Sequence, residues 1–200
     1  TGYGNEEHLR VLGRVVLRHP VRRRGPFAHQ PLRQRGVKNL FQQAVPNAKV
    51  RVQVGDDIIE VLADRGGYLD LSVRHHHLSP GWTTVRIWTE SAEPVEAPVQ
   101  IVSSTQEYGL ISDIDDTIIA TSLPRLLIAG WNSFVITEGQ RRAIPGMARF
   151  YQHFQQRHPG APVIYISTGA WNTLPFLNRF LQRHGFPAGA LLLTNWGPTN

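Results

Sequence analysis

Two hundred residues, 41% of them apolar, suffice for one large or two small globular domains with true cores. Basic residues outnumber acidic ones 21 to 15, yet no run of about 18 uncharged apolar residues could span a bilayer as a helix, and no apolar signal segment opens the chain. A soluble cytoplasmic protein is expected on those grounds; cysteine is absent, which excludes disulfides and thiolate metal ligands but does not by itself fix the compartment.

The charge is unevenly spread. Residues 1–40 carry nine Arg or Lys against Glu6 and Glu7. The cluster runs from Arg10 and Arg14 through Arg18, Arg22, Arg23, Arg24, Arg33 and Arg35 to Lys38. Such a block suits phosphate groups of lipids or a solvated basic arm. Only Phe27 and Phe41 accompany it as aromatics, so nucleic acid is the disfavoured partner.

In chain order, His8 to Arg18 alternates as a half-buried strand that Pro20 closes, and Val37, Leu40, Phe41 and Ala44 predict a short helix over 32–44. The pattern then becomes all β. Strands are predicted over 48–54, 58–63, 68–73, 82–89 and 98–103, separated by Gly55-Asp56-Asp57, Arg65-Gly66-Gly67 and Pro80-Gly81. Five or six short strands with turns predict a small antiparallel β-sandwich over residues 1–105, with the basic arm and the short helix included. His75-His76-His77 reads as a solvated loop, because neighbouring residues on a strand cannot share a metal.

From Tyr108 the order becomes strand, helix, strand, helix, strand. Leu110 to Asp113 is the first strand, and Leu123 to Trp131 a helical excursion. A helix follows over 144–158, with Met147, Phe150, Tyr151 and Phe154 on one face. Val163 to Ile166 is a buried strand ending in Ser167-Thr168-Gly169; a helix over 171–184 and a third strand over 191–193 complete the series. This order predicts an α/β unit over residues 106–200 with a parallel sheet. Ligands of such sheets bind at the carboxyl ends of the strands, where Asp113 and Ser167 fall. Trp131, Trp171 and Trp196 read as packing residues, and Arg141 and Arg142 as a solvated helix start.

The chemistry concentrates in Asp113-Ile114-Asp115-Asp116-Thr117. Acids are costly to bury unless a cation or hydrogen bonds compensate them. Asp-rich loops also cap helices and form turns. If the extended geometry persists past the strand, Asp113, Asp115 and Thr117 point the same way, and two carboxylates share one pocket. One carboxylate can attack phosphorus while the other moves the proton, with magnesium as the fitting cation.

This stretch resembles the first motif of the haloacid dehalogenase superfamily of phosphohydrolases. With Ile144-Pro145-Gly146-Met147, Val163 to Asn172, Phe186-Pro187-Ala188-Gly189 and the strand at Leu191 to Leu193, it looks like the actin-patch type of phosphatidate phosphatase, related to the lipins. The resemblance reaches back to Gly2-Tyr3-Gly4 and Val11-Leu12-Gly13-Arg14. It implies a haloacid dehalogenase-like Rossmannoid α/β fold for 106–200 and hydrolysis of phosphatidate through an aspartyl-phosphate. Asp113 would be nucleophile and magnesium ligand; Asp115 would be general acid and base, lending its carbonyl to the metal. Thr117 would order the loop, and Ser167, Thr168 and Gly169 would hold the phosphate.

The superfamily's third-motif cation and fourth-motif acid lie beyond a third strand. Here the lysines are Lys38 and Lys49, Glu138 is the sole acid after Asp116, and the sequence ends at Asn200. Truncation before those motifs, and weak activity of the 200-residue chain, are the expectations. The leading function is a magnesium-dependent phosphatase on an anionic lipid, peripheral to a membrane surface. The alternatives are the same chemistry on a soluble phosphomonoester and a non-catalytic phosphate- or partner-binding protein.

Overall fold

A computed structural model describes residues 1–17, 43–120 and 141–194. Its first half is one sheet of seven strands: β1 (Gly2–Asn5), β2 (His8–Arg14), β3 (Lys49–Val54), β4 (Asp57–Leu62), β5 (Tyr68–Arg74), β6 (Gly81–Thr89) and β7 (Val95–Val102). Their order is β4-β3-β6-β7-β1-β2-β5. The sheet curls until it is nearly closed, with β4 and β5 approaching each other. Alternation along the strands supplies the interior, since Leu9, Val11, Val50, Val52, Val85, Val99 and Ile101 are all buried in one cluster. β3 and β4 are joined by the two-residue turn Gly55-Asp56, with Gly55 in the left-handed region at φ 60°.

β1 makes this sheet mixed rather than antiparallel. It pairs antiparallel with β2 and parallel with β7, from Gly2 opposite Val99 to Asn5 opposite Val102. Its glycines are steric requirements. A Cβ on Gly4 would lie 2.1 Å from the His8 carbonyl oxygen, and one on Gly2 would lie 2.7 Å from the Arg10 carbonyl oxygen and from the Val99 side chain. β7 starts at Val95, earlier than its sequence suggests, and so contains Pro98. The β1 ladder begins only at Val99, so Pro98 stands where β6 is the sole flanking strand.

The second half contains β8 (Leu110–Asp113), β9 (Ile119–Ala120), β10 (Arg142–Ala143), α1 (Met147–Arg157), β11 (Val163–Ala170) and, after a 3-10 turn at Trp171–Thr173, α2 (Leu174–Arg183) and β12 (Ala190–Thr194). β8, β11 and β12 form a three-stranded parallel sheet in the order β12-β11-β8. Tyr151, Leu177, Phe180, Leu181 and Phe186 pack on it from α1, α2 and the loop before β12.

These observations correct the expected fold class. Strand accounts for 48% of the described residues and helix for 16%, and the dominant element is the nearly closed mixed sheet. The chain is thus mostly β, and not a haloacid dehalogenase-like Rossmannoid α/β fold with a sandwich attached. The β-sandwich expectation fails too: the first-half strands form one curled sheet, because β1 joins β7 to β2 and leaves no second layer. The α/β expectation gave the motif-bearing half more weight than its three strands justify.

The helix expected over 32–44 lies mostly outside the described residues; Ala44, at its end, forms a bridge with Val16. The excursion over 123–131, Trp131, Glu138, Trp196 and the basic residues from Arg18 to Lys38 also lie outside them. Of the basic cluster, Arg10 grips both oxygens of Asp70 at 2.8 and 2.6 Å, and Arg14 stacks 4.8 Å above the Tyr68 ring. No helix among the described residues is long and apolar enough to cross a membrane.

His76 corrects another expectation. It is buried, not solvated: Nδ1 accepts from the Leu78 N–H at 3.0 Å, so Nε2 carries the hydrogen and donates to the Asn5 carbonyl at 2.8 Å. His75 and His77, both exposed, adopt φ values of 53° and 56° around it.

Candidate active site

β8 delivers Asp113 to its carboxyl end in register with Ile166 of β11, and the Ile114 N–H extends the ladder to the Ile166 carbonyl at 3.1 Å. The chain then turns. Asp116 takes the left-handed conformation at φ 60°, and the Ile114 carbonyl accepts from the N–H groups of Ile118 and Ile119 at 2.9 and 3.0 Å. Ile114 and Ile118 are fully buried, so the apolar members of the loop anchor it while the acids between them stay at the surface. Asp113 and Asp116 are exposed; Asp115 and Thr117 are half-buried.

Beneath Asp113, the Ser112 hydroxyl donates to the Asp113 carbonyl oxygen at 2.7 Å. Its single hydrogen is thereby used, so the buried Tyr151 hydroxyl of α1 is the donor in their mutual bond. No local signal marks this prop, because a serine inside a strand reads only as alternation.

Ser167 meets Asp115 across the two strands. The Ser167 hydroxyl, buried, donates to Asp115 Oδ2 at 3.0 Å, and its oxygen accepts from the Gly169 N–H at 3.0 Å. Burial pushes the Asp115 carboxyl above its ordinary value; the serine bond and the charge of Arg141 pull it down, while Asp113 and Asp116 push it further up. Asp115 thus has a higher proton affinity than an ordinary carboxylate, with burial as the main cause. β11 runs on through Ser167, Thr168 and Gly169 to Ala170, with a register shift against β12 between Ser167 and Ala170. Thr168 is exposed, Gly169 is buried, and the Thr168 carbonyl accepts from the Thr194 hydroxyl.

Arg141, read from sequence as a solvated helix start, instead precedes β10 and is half-buried. Its guanidinium lies 5.0 Å from the Phe176 ring centroid of α2. Its charge and that of Asp115 favour each other's ionised form. The residues expected to form the site thus divide. Asp113, Asp115 and Ser167 gather at adjacent strand ends, Thr117 is half-buried in the loop that follows, and the charge of Asp116 adds a lesser push on Asp115.

The donor set can be weighed against magnesium. No group of three or more His, Asp or Glu gathers as metal ligands among the described residues. Magnesium takes one or two carboxylates and completes its shell with water and phosphate oxygens. Two hard-oxygen acids close enough to repel each other meet that smaller requirement.

Trp171, buried, packs 6.4 Å from Tyr68 between ring centroids and so ties the turn after β11 to the curled sheet. Beside it opens a cleft of about 840 Å³, lined by Leu12, Val15, Trp88, Val95 and Leu174 among others.

Residues 108–200 match the family model described as the catalytic domain of phosphatidate phosphatase APP1. The match suggests a phosphatase, a hydrolase. Comparison with the curated proteins finds no match. Among solved structures, the chain is similar to a carbohydrate acetylesterase from Xanthomonas citri at 11% identity and a TM-score of 0.35, covering 97% of this chain and 48% of that one. The chain thus spans about half the length of that structure.

Proposed function

We propose that the protein is a magnesium-dependent phosphatase that hydrolyses a phosphomonoester, with phosphatidate as substrate and diacylglycerol as product. The observation that carries this reading is the meeting of Asp113, Asp115 and Ser167 at the ends of β8 and β11, within the segment matched to a phosphatidate phosphatase catalytic domain. A carboxylate oxygen of Asp113 attacks phosphorus, and the bond from phosphorus to the glycerol oxygen breaks. The carboxylic acid of Asp115 gives its proton to the departing alkoxide, a role that its raised proton affinity supports. Asp115, now a carboxylate, takes a proton from the water that attacks the aspartyl-phosphate, which releases inorganic phosphate and restores Asp113.

Ser167 orients Asp115 through its hydroxyl and, with Thr168 and Gly169, borders the space for the phosphate oxygens. Thr117 orders the loop. The Asp113 carboxylate and the Asp115 carbonyl would hold magnesium, which when bound offsets phosphate charge among the acids. The apolar cleft beside Trp171 favours a substrate with hydrocarbon chains over a small soluble one. A lipid substrate calls for peripheral contact with a membrane surface. The basic block of residues 1–40 is assigned that contact, and the cytoplasm is the compartment proposed.

The test is release of inorganic phosphate by the full-length protein from mixed micelles containing phosphatidate, with and without magnesium. Asp113→Asn is expected to lower kcat by about 1000-fold or more while leaving the unfolding midpoint in place. Full turnover by that variant would overturn the nucleophile. Equal kcat/KM on a soluble phosphomonoester would replace the lipid by the soluble alternative.

A further inference from the structure

A phosphoryl group seated at the ends of β8 and β11 meets the acidic side chains of Asp113 and Asp115 and a neutral serine, with Asp116 adding negative charge nearby. The chain's two lysines lie at positions 38 and 49, in the first half. A cation reaches the loop by another route. Arg142 and Ala143 of β10 pair antiparallel with Ala120 and Ile119 of β9, and the Ile144 N–H donates to the Ile118 carbonyl at 2.9 Å. These bonds fasten the chain next to Arg141 onto the strand that emerges from the aspartate loop. On its other side the guanidinium stacks on Phe176, in the first turn of α2, three residues beyond the 3-10 turn that follows Gly169 and Ala170.

We propose that Arg141 is the phosphate clamp of this site, binding non-bridging oxygens of a phosphomonoester dianion between the Asp113–Thr117 loop and the Ser167–Gly169 strand end. The inference rests on the phosphatase reading for its chemistry, although phosphate binding can be measured without turnover. A guanidinium is planar, remains charged at any physiological pH and matches two phosphate oxygens at once. Stacking on Phe176 uses its face, and the N–H donors lie in its plane. Half-burial strengthens the attraction to an anion relative to open water; it also lowers the guanidinium's proton affinity, which the charge of Asp115 offsets in part.

The experiment compares binding of inorganic phosphate, by calorimetry in the presence of magnesium, to full-length wild type, Arg141→Ala, Arg141→Lys and Phe176→Leu, each checked for a native unfolding midpoint. Arg141→Ala is expected to weaken phosphate binding about tenfold or more, and Arg141→Lys less. Phe176→Leu is expected to give the smallest loss, and millimolar guanidinium to restore part of the affinity to Arg141→Ala alone. Wild-type affinity in Arg141→Ala, a loss that neither lysine nor guanidinium lessens, or no phosphate binding by the wild type would each overturn the clamp. Weakened phosphate binding by Arg141→Ala in a protein that hydrolyses no phosphomonoester keeps the clamp and sinks the phosphatase reading. Turnover abolished by Asp113→Asn, with phosphate affinity indifferent to Arg141, does the reverse.

Discussion

On the curled sheet, Asp70 of β5 has both oxygens held by the Arg10 guanidinium of β2, and that bond draws its carboxyl below the ordinary range. At the end of the parallel sheet, Asp115 has one oxygen held by a neutral serine, and burial raises its carboxyl instead. Both acids feel an arginine's charge, but at Asp70 the guanidinium bond outweighs burial, whereas at Asp115 burial outweighs its compensation. The contrast separates a carboxylate that serves the fold from one the fold tolerates, and marks where proton transfer is available.

The comparison breaks most sharply through backbone packing. Gly4→Val sets a branched side chain against the His8 carbonyl, where even a Cβ has no room, and forces β1 away from β2. A loss of about 3 kcal/mol in chemical denaturation is expected, with phosphate affinity per folded molecule unchanged. Loss of phosphate affinity in the folded fraction would tie the curled sheet to the site.

Asp115→Asn has the smaller and opposite effect. A carboxyl whose folded pKa is raised binds its proton more tightly in the folded state, so its stabilising effect is full below the unfolded value and fades as pH rises through the folded one. The amide removes the cost of ionisation. With EDTA present, the variant's unfolding midpoint should exceed the wild type's by about 1–2 °C at pH 7, an estimate discounted for partial exposure, and the gain should vanish near pH 4. A gain that persists in acid would show that charge is not its source.

Asp70→Asn gives a shift no larger than that of Asp115→Asn, with the sign reversed. A depressed folded pKa contributes stability above the unfolded carboxylate value, lost as pH falls through the folded one. The pair is solvent-exposed, so about 0.5 kcal/mol is expected at pH 7, reduced by salt and lost in acid as Asp70 takes up its proton. Equal midpoints of wild type and variant at pH 7 in low salt would remove the contrast with Asp115.

Local patterns were legible where one physical cause governs. Alternation marked β3 to β6 to within about two residues, and the acid cluster after an apolar run drew attention to Asp113 and Asp115. What escaped depends on contacts distant in sequence. Gly2-Tyr3-Gly4 has poor strand propensity and becomes β1 only because Val99 and Arg10 leave no space for side chains. Pro98 argued for a strand start, yet the ladder it would interrupt begins one residue later. His76 reads as part of a polar triplet until Asn5 and Leu78 satisfy its two nitrogens. The charge of Arg141 acts on Asp115 because the β9–β10 pairing brings its segment beside the aspartate loop, which no short-range signal encodes. The fold class was misjudged for a related reason: the order of elements around the motif is local, whereas the closing of seven strands into one curled sheet is global.

β1 has a further consequence, for the order of events as the chain is made. Gly2 to Asn5 are synthesised before the rest of the sheet, and their parallel partner, Val99 to Val102, emerges from the ribosome only after the other strands have been translated. β1 can form its hairpin with β2 early, while closure onto β7 must await a contact with a large loop-entropy cost. Until then β7 has an open edge on the side where β1 will dock, and any strand that reaches it first is a competitor. The short, glycine-bearing β1 is the piece that closes this gap, so the strand of the sheet made first is also the last to be fully paired.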